Sequence, residues 1–260
     1  CITKKNGYKF KIINAGIEGQ STFGHIYIFK HWFPKLKDFS PKLYIFYIGI
    51  NDGWSQQQKS IDNPGTDGGV KNPEILEAFL DNLKSRSFFS DKIRLLKLKY
   101  YTTDKKETHD RNYFIWKGWE QIKEEDFHDY KYINYEKALK IHNVDHLKFK
   151  YEKEISDYLN NVEILNNYVI NKNGLPIFVN QVNFDGLTEE RMFILNYSLI
   201  KYCEKRNLNC IDLAKKLNGE LSFFYDMYHT TGLGSKTIAE SIIDDLVKII
   251  KQEDLFPLKK

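Results

Sequence analysis

Asp226-Met227-Tyr228-His229 places a carboxylate three residues before an imidazole, directly ahead of Thr230-Thr231-Gly232-Leu233-Gly234 and an apolar-periodic stretch. A neutral imidazole can take a proton from a hydroxyl nucleophile and return it to a leaving alcohol. A carboxylate beside it holds the ring in the working tautomer and stabilises its cation. Two further segments carry groups of matching type: Asn14-Ala15-Gly16-Ile17-Glu18-Gly19 and Gly49-Ile50-Asn51-Asp52. The backbone N–H of Gly19 and the side-chain amide of Asn51 can both donate to the oxyanion of a tetrahedral intermediate, and one such donor is worth about 10²–10³ in rate. Singly, each group has a plainer reading: Gly19 as a turn needing positive φ, Asn51-Asp52 as a turn after a strand, Asp226 as a helix cap and His229 as a surface residue. Together, in this order, they point to acyl transfer.

These groups must be held by regular elements. Phe10 to Ala15 reads as a strand running into a glycine turn, and Thr22 to Leu36 has helical spacing through Phe23, Ile26, Tyr27, Phe29 and Phe33. Leu43 to Ile48 is a continuous apolar, β-rich run, which predicts a strand buried on both faces, as in a parallel sheet. The pattern dissolves over residues 55–150, which read as a helical and loop-rich insertion, either a lid or a surface elaboration. Alternation then returns. Ile155, Leu159, Val162, Leu165 and Val169 make a helical stripe. Leu175 to Gln181 reads as a strand, Arg191 to Arg206 as a helix and Leu208 to Leu213 as a short strand. Ile238, Ile242, Leu246 and Ile249 line a last helix. Strands alternating with helices imply a parallel, doubly wound α/β sheet. In such sheets ligands bind beyond the carboxyl ends of the strands. Gly19, Asn51 and the Asp226–His229 pair, after Phe223-Phe224-Tyr225, each follow a predicted strand end.

Composition narrows the class. The 260 residues suffice for one domain, and 42% hydrophobic with 28% charged residues is globular. A net charge of +4 from 39 basic and 35 acidic residues is nearly balanced and gives no argument for nucleic acid. Aromatics reach 15%, which suits either ordinary packing or a carbohydrate-facing surface. Cys1, Cys203 and Cys210 show no CxxC or metal spacing, so no disulfide framework is expected and reduced, cytoplasmic surroundings are favoured. No apolar run is long enough to span a membrane. His25 and His31, and His142 and His146, lack an HExxH arrangement and read as surface histidines, so neither metal nor cofactor is expected.

The blocks quoted above resemble those of the SGNH (GDSL-type) hydrolase family over roughly residues 7–55 and 151–250. The resemblance implies a flavodoxin-like three-layer α/β/α sandwich, usually metal-free, with Gly19 and Asn51 as oxyanion donors and Asp226 and His229 as triad members. It implies a serine ester hydrolase, an esterase or a deacetylase, that removes O-acyl groups from a carbohydrate or a small ester.

One block departs from the family. Its nucleophilic serine follows the first strand, tens of residues before the glycine block, whereas 18 residues precede Gly19 here and none reads as strand-Gly-x-Ser. Ser21 falls in the first turn of the following helix and Ser55 at the start of the insertion, and a GxSxG elbow is absent. In the 2-1-3-4-5 strand order that the resemblance implies, the missing strand would sit between the two seen first. Leaving its slot empty would cost roughly 1–3 kcal/mol per buried unpaired group, against a domain stability of about 5–15 kcal/mol. The expectation is therefore a single domain over 1–260 that is incomplete at its N-terminus, with the nucleophile upstream of Cys1. An export signal there is left open. The alternatives are a polysaccharide O-acyltransferase and a catalytically inactive binding or scaffold domain.

Overall fold

The structure, a computed structural model, describes residues 12–16, 20–37, 39–54 and 131–253. Gly19, Ser55 and most of the expected insertion lie outside them.

The β-rich apolar runs form the sheet. Strand β1 (Leu43–Ile48) pairs in parallel with β2 (Leu175–Asn180), Phe46 opposite Phe178, and β2 pairs in parallel with the short β3 (Cys210–Ile211). The order β1-β2-β3 gives an α/β fold built on a three-stranded parallel sheet among the described residues. Strand β2 is buried along its whole length, as its apolar run from Leu175 to Val179 requires.

Strand β1 corrects the expectation of burial on both faces. Tyr44, Phe46 and Ile48 are buried, but Ile45 and Tyr47 are 47% and 39% exposed. Side chains alternate along a strand, and among the described residues only one face of β1 is fully covered. The expected strand toward Ala15 is corrected as well: residues 12–16 enter no ladder, and Ile12 is 89% exposed. An apolar run becomes a strand only beside a partner, and none of the described segments pairs with this one.

Helices follow the apolar stripes. Helix α1 (Thr22–Tyr27) loosens and then tightens, continuing as a π-helical turn over Ile28–Trp32 and a 3₁₀ turn over Phe33–Lys35. Pro34 in that last turn has no N–H for a longer helix to use. A short α2 (Ile50–Trp54) follows β1 directly. Then come α3 (Tyr135–Ile141), α4 (Val144–Lys150), α5 (Glu152–Ile170), α6 (Glu190–Arg206), α7 (Leu213–Lys216), a 3₁₀ turn at Leu221–Phe223 and α8 (Gly232–Gln252).

Two apolar clusters lie on opposite faces of the sheet. One joins Phe46 and Phe178 to Ile26 and Phe29, to Val162 and Leu165 of α5 and to Leu199 of α6. The other joins Ile177, Val179 and Ile211 to Phe193 and to Leu246 and Ile249 of α8. Ala138 of α3 and Leu147 of α4 are fully buried in this second cluster, so residues 135–150 pack into the core rather than standing apart from it.

One further expectation changes. Cys203 and Cys210 form a disulfide. Asn207 ends α6 in the left-handed region (φ 54°) and turns the chain back, bringing two cysteines seven positions apart to a Cα separation of 6.2 Å. So short a closed loop contributes roughly 2–3 kcal/mol on a chain-entropy account. His142 and His146 do not share a helix. His142 ends α3, stacks on Phe193 and places Nε2 2.9 Å from the Leu187 carbonyl, while His146 belongs to α4. Among the described residues no group of ligating side chains could hold a metal, and no helix is long and apolar enough to cross a membrane.

His25 of α1 lies edge-on to Phe46, with ring centroids 6.1 Å apart, and burial lowers its pKa from 6.5 to about 4. The unfolded chain binds this proton as pH falls below 6.5; the folded chain resists until about pH 4. Stability is therefore full above that window and is lost as pH falls through it, by at most roughly 3 kcal/mol. Urea unfolding midpoints should drop between about pH 7.5 and 4.5, and the drop should be visibly smaller in His25→Phe. Parallel pH curves for the two proteins would remove His25 as the cause.

Candidate active site

The Asp226–His229 segment builds its own geometry. Asp226 is 6% exposed, and its Oδ1 accepts the backbone N–H of Tyr228 at 2.8 Å and of His229 at 2.7 Å. These two bonds fold the chain into a tight turn that swings the imidazole back, so that His229 Nδ1 stands 2.7 Å from Asp226 Oδ2. All three contacts are of the kind an ionised carboxylate accepts. An imidazole that donates from Nδ1 to this carboxylate carries its lone pair on Nε2, the tautomer a general base requires. The Tyr225 ring stacks on the imidazole at 5.6 Å and 12°, while the His229 side chain stays 32% exposed.

The turn is fastened at both ends. Tyr225 N–H donates to the His229 carbonyl at 3.0 Å, and Phe224 bridges Thr230. Among the described residues the Phe223–Tyr225 run is therefore not a sheet strand, contrary to the sequence reading: Phe223 ends a 3₁₀ turn, and the run's ladder contact is this one bridge. Asp226 does not cap the last helix either. Thr231 does so, accepting from Gly234 N–H at 3.1 Å and donating to the Ser222 carbonyl at 2.8 Å.

Asn51 lies in the first turn of α2, directly beyond β1. Its Nδ2 donates to the Gln20 carbonyl at 3.0 Å, which leaves its second N–H for another acceptor. Gly49 makes the sharp exit from the strand at φ 132°, a conformation closed to most side chains. A Cβ there would stand 3.4 Å from Asn196 Oδ1. Gly19, the other expected donor, lies outside the described residues. Ser21 precedes α1 and is 1% exposed, so its hydroxyl is out of reach of an incoming ester.

One segment ties the Asn51 turn to the His229 turn. Gln181, the first residue beyond β2, accepts Ile50 N–H on its Oε1 at 2.9 Å, and its carbonyl takes Asn196 Nδ2 at 2.7 Å. Val182 is reached by the Tyr47 hydroxyl through its backbone. Phe184 N–H donates to the Met227 carbonyl at 3.1 Å. Three residues of chain span at most about 10 Å, so the two turns meet the same short stretch at the carboxyl end of the sheet. Sequence reasoning missed Gln181 and Asn196. The available signal was a polar residue where an apolar strand ends and an asparagine inside the apolar stripe of α6, where it is 1% exposed.

Asp185 and Glu189 act on Tyr228 beside the histidine, and the Arg191 guanidinium acts on Glu189. Burial raises the pKa of Asp185 and of Glu189. Burial, and then the negative charges of Glu189, Asp185 and Asp226, raise the phenol of Tyr228. No protein-family model, no curated protein and no solved structure matches the chain.

Proposed function

We propose that the chain carries the acid–base and oxyanion-stabilising part of an SGNH (GDSL-type) serine ester hydrolase with a flavodoxin-like α/β/α core. The observation that carries the reading is the 2.7 Å contact from His229 Nδ1 to Asp226 Oδ2, on a carboxylate already held by two backbone N–H groups. Support comes from Asn51, whose amide is anchored by one hydrogen and lies beyond the end of a parallel strand. The substrate class that the resemblance implies is an O-acyl ester, such as an acylated sugar hydroxyl or a small ester.

The steps follow from these groups. His229 Nε2 takes the proton of the serine hydroxyl as its oxygen adds to the ester carbonyl. Asn51 donates to the resulting oxyanion. The imidazolium, stabilised by Asp226, passes the proton to the leaving alcohol, and water then repeats the sequence on the acyl-enzyme. This chemistry needs a serine hydroxyl within reach of His229 Nε2.

Hydrolysis of p-nitrophenyl acetate by the full-length gene product, beside His229→Ala, tests the reading. Turnover at least about 10³-fold lower in the variant is expected. Equal rates would sink the esterase assignment and leave the inactive scaffold. Acyl transfer to a sugar without net hydrolysis would redirect it to the O-acyltransferase.

A further inference from the structure

Asp52 is a buried carboxylate that the acyl-transfer steps leave without a role. It is 8% exposed, and it faces Thr22, which is fully buried 30 positions earlier in the chain. Asp52 Oδ1 accepts Thr22 N–H at 3.0 Å and the Thr22 hydroxyl at 2.5 Å, and Oδ2 stands 3.3 Å from the same N–H. The Thr22 hydroxyl is satisfied from its other side by Asn161 Nδ2 of α5 at 3.0 Å. Burying a carboxylate is unfavourable unless several donors compensate it. Here the donors sit on the segment that also receives Asn51: Gln20 takes the Asn51 amide and Thr22 takes the next side chain along.

This pairing constrains Asn51 in a way that one hydrogen bond cannot. A single contact from Nδ2 to the Gln20 carbonyl leaves the amide free to rotate about that line. A second anchor one residue away, on the same opposing segment, fixes the turn in translation and in twist. The free N–H of the amide then has one direction. A donor must already point at the developing oxyanion to stabilise it, because reorientation during the reaction removes the advantage.

We infer that Asp52 and Thr22 are positioning residues that lock the Asn51 turn against the segment Gln20–Thr22 and so aim the Asn51 amide. The inference rests on the esterase reading above. A clamp that slackens should lower kcat and leave KM near its original value, since the oxyanion exists only after binding. The loss should fall short of the about 10²–10³ that follows complete removal of a donor.

The test uses the full-length gene product with Thr22→Val, Thr22→Ser, Asp52→Asn, Asn51→Ala and the Asn51→Ala/Thr22→Val double variant. For Thr22→Val, kcat on p-nitrophenyl acetate should fall about 10–100-fold, with KM changed less than about twofold, whereas Asp52→Asn keeps one oxygen for both Thr22 donors and should lose less. Thr22→Ser keeps the hydroxyl and should stay within about twofold of the parent. The double variant should be no slower than Asn51→Ala alone, because the clamp acts only through that amide. Amide exchange over residues 49–52 should quicken in Thr22→Val and not in Thr22→Ser. An unchanged kcat in Thr22→Val, or losses that add in the double variant, overturns the proposal. A parent with no His229-dependent turnover overturns the esterase reading instead, and the exchange pattern then decides alone whether the two residues hold the turn.

Discussion

Asp226→Asn is expected to lower kcat on p-nitrophenyl acetate by about 10⁴-fold while the protein stays folded. Asp226 presents two oxygens with different duties: Oδ1 receives the N–H groups of Tyr228 and His229, and Oδ2 receives Nδ1 of the ring. An asparagine keeps one oxygen. The two backbone donors claim it, because turning the amide over would set two N–H groups against its NH₂ and forfeit roughly 1–3 kcal/mol for each. The NH₂ therefore faces Nδ1, which must accept. The ring proton moves to Nε2, and a base with its proton on the working nitrogen takes none from a hydroxyl. Melting should shift by no more than a few degrees, so the lost turnover cannot be assigned to unfolding. A decline of less than about tenfold would mean that the pair serves the turn and not the chemistry.

A large loss of stability is expected from Gly186→Ala. Gly186 has φ 81°, and a Cβ built on it would stand 2.3 Å from the Ile133 carbonyl oxygen. That carbonyl accepts Leu187 N–H at 2.9 Å, while Ile133 N–H donates to Asp185 at 3.0 Å. Relief of the clash pushes the Ile133 segment away and weakens both bonds, at about 1 kcal/mol each. The positive φ adds about 1–2 kcal/mol for any side chain. Together these reach about 3–4 kcal/mol, or a melting temperature lower by roughly 10 °C at this size. Gly232→Ala is the control, since a Cβ at the start of α8 meets nothing within 4 Å. Similar melting temperatures for the two variants would show that the Ile133 contact does not hold this loop.

What was legible in the sequence was local. The Asp226–His229 contact joins residues three apart, so one turn suffices to make it and the spacing alone announces it. Strand β2 and helices α5, α6 and α8 were readable because their apolar periods run unbroken for a full element. The contacts that hold Asn51 were not readable. Ile50 and Gln181 are 131 positions apart, and Thr22 and Asp52 are 30 apart, so only the folded sheet reveals that they meet. The disulfide was hidden for a related reason: seven positions are close in sequence, but only the left-handed turn at Asn207 aims both sulfurs at one another. Ile45 and Tyr47 misled because an apolar run reports what a side chain prefers, and covering it needs a second surface.

The stretch from Gln181 to Phe184 has a bearing on which lengths of chain this scaffold accepts. Elsewhere on the surface a loop can gain or lose a residue at little thermodynamic penalty. Here Gln181 is tied to Ile50 at one end and Phe184 to Met227 at the other. One residue inserted between them would displace one of those turns by about 3.3 Å, well beyond the tolerance of a hydrogen bond. Descendants of this chain can vary the composition of that stretch, but its count of residues is held by two turns that lie far apart in the gene.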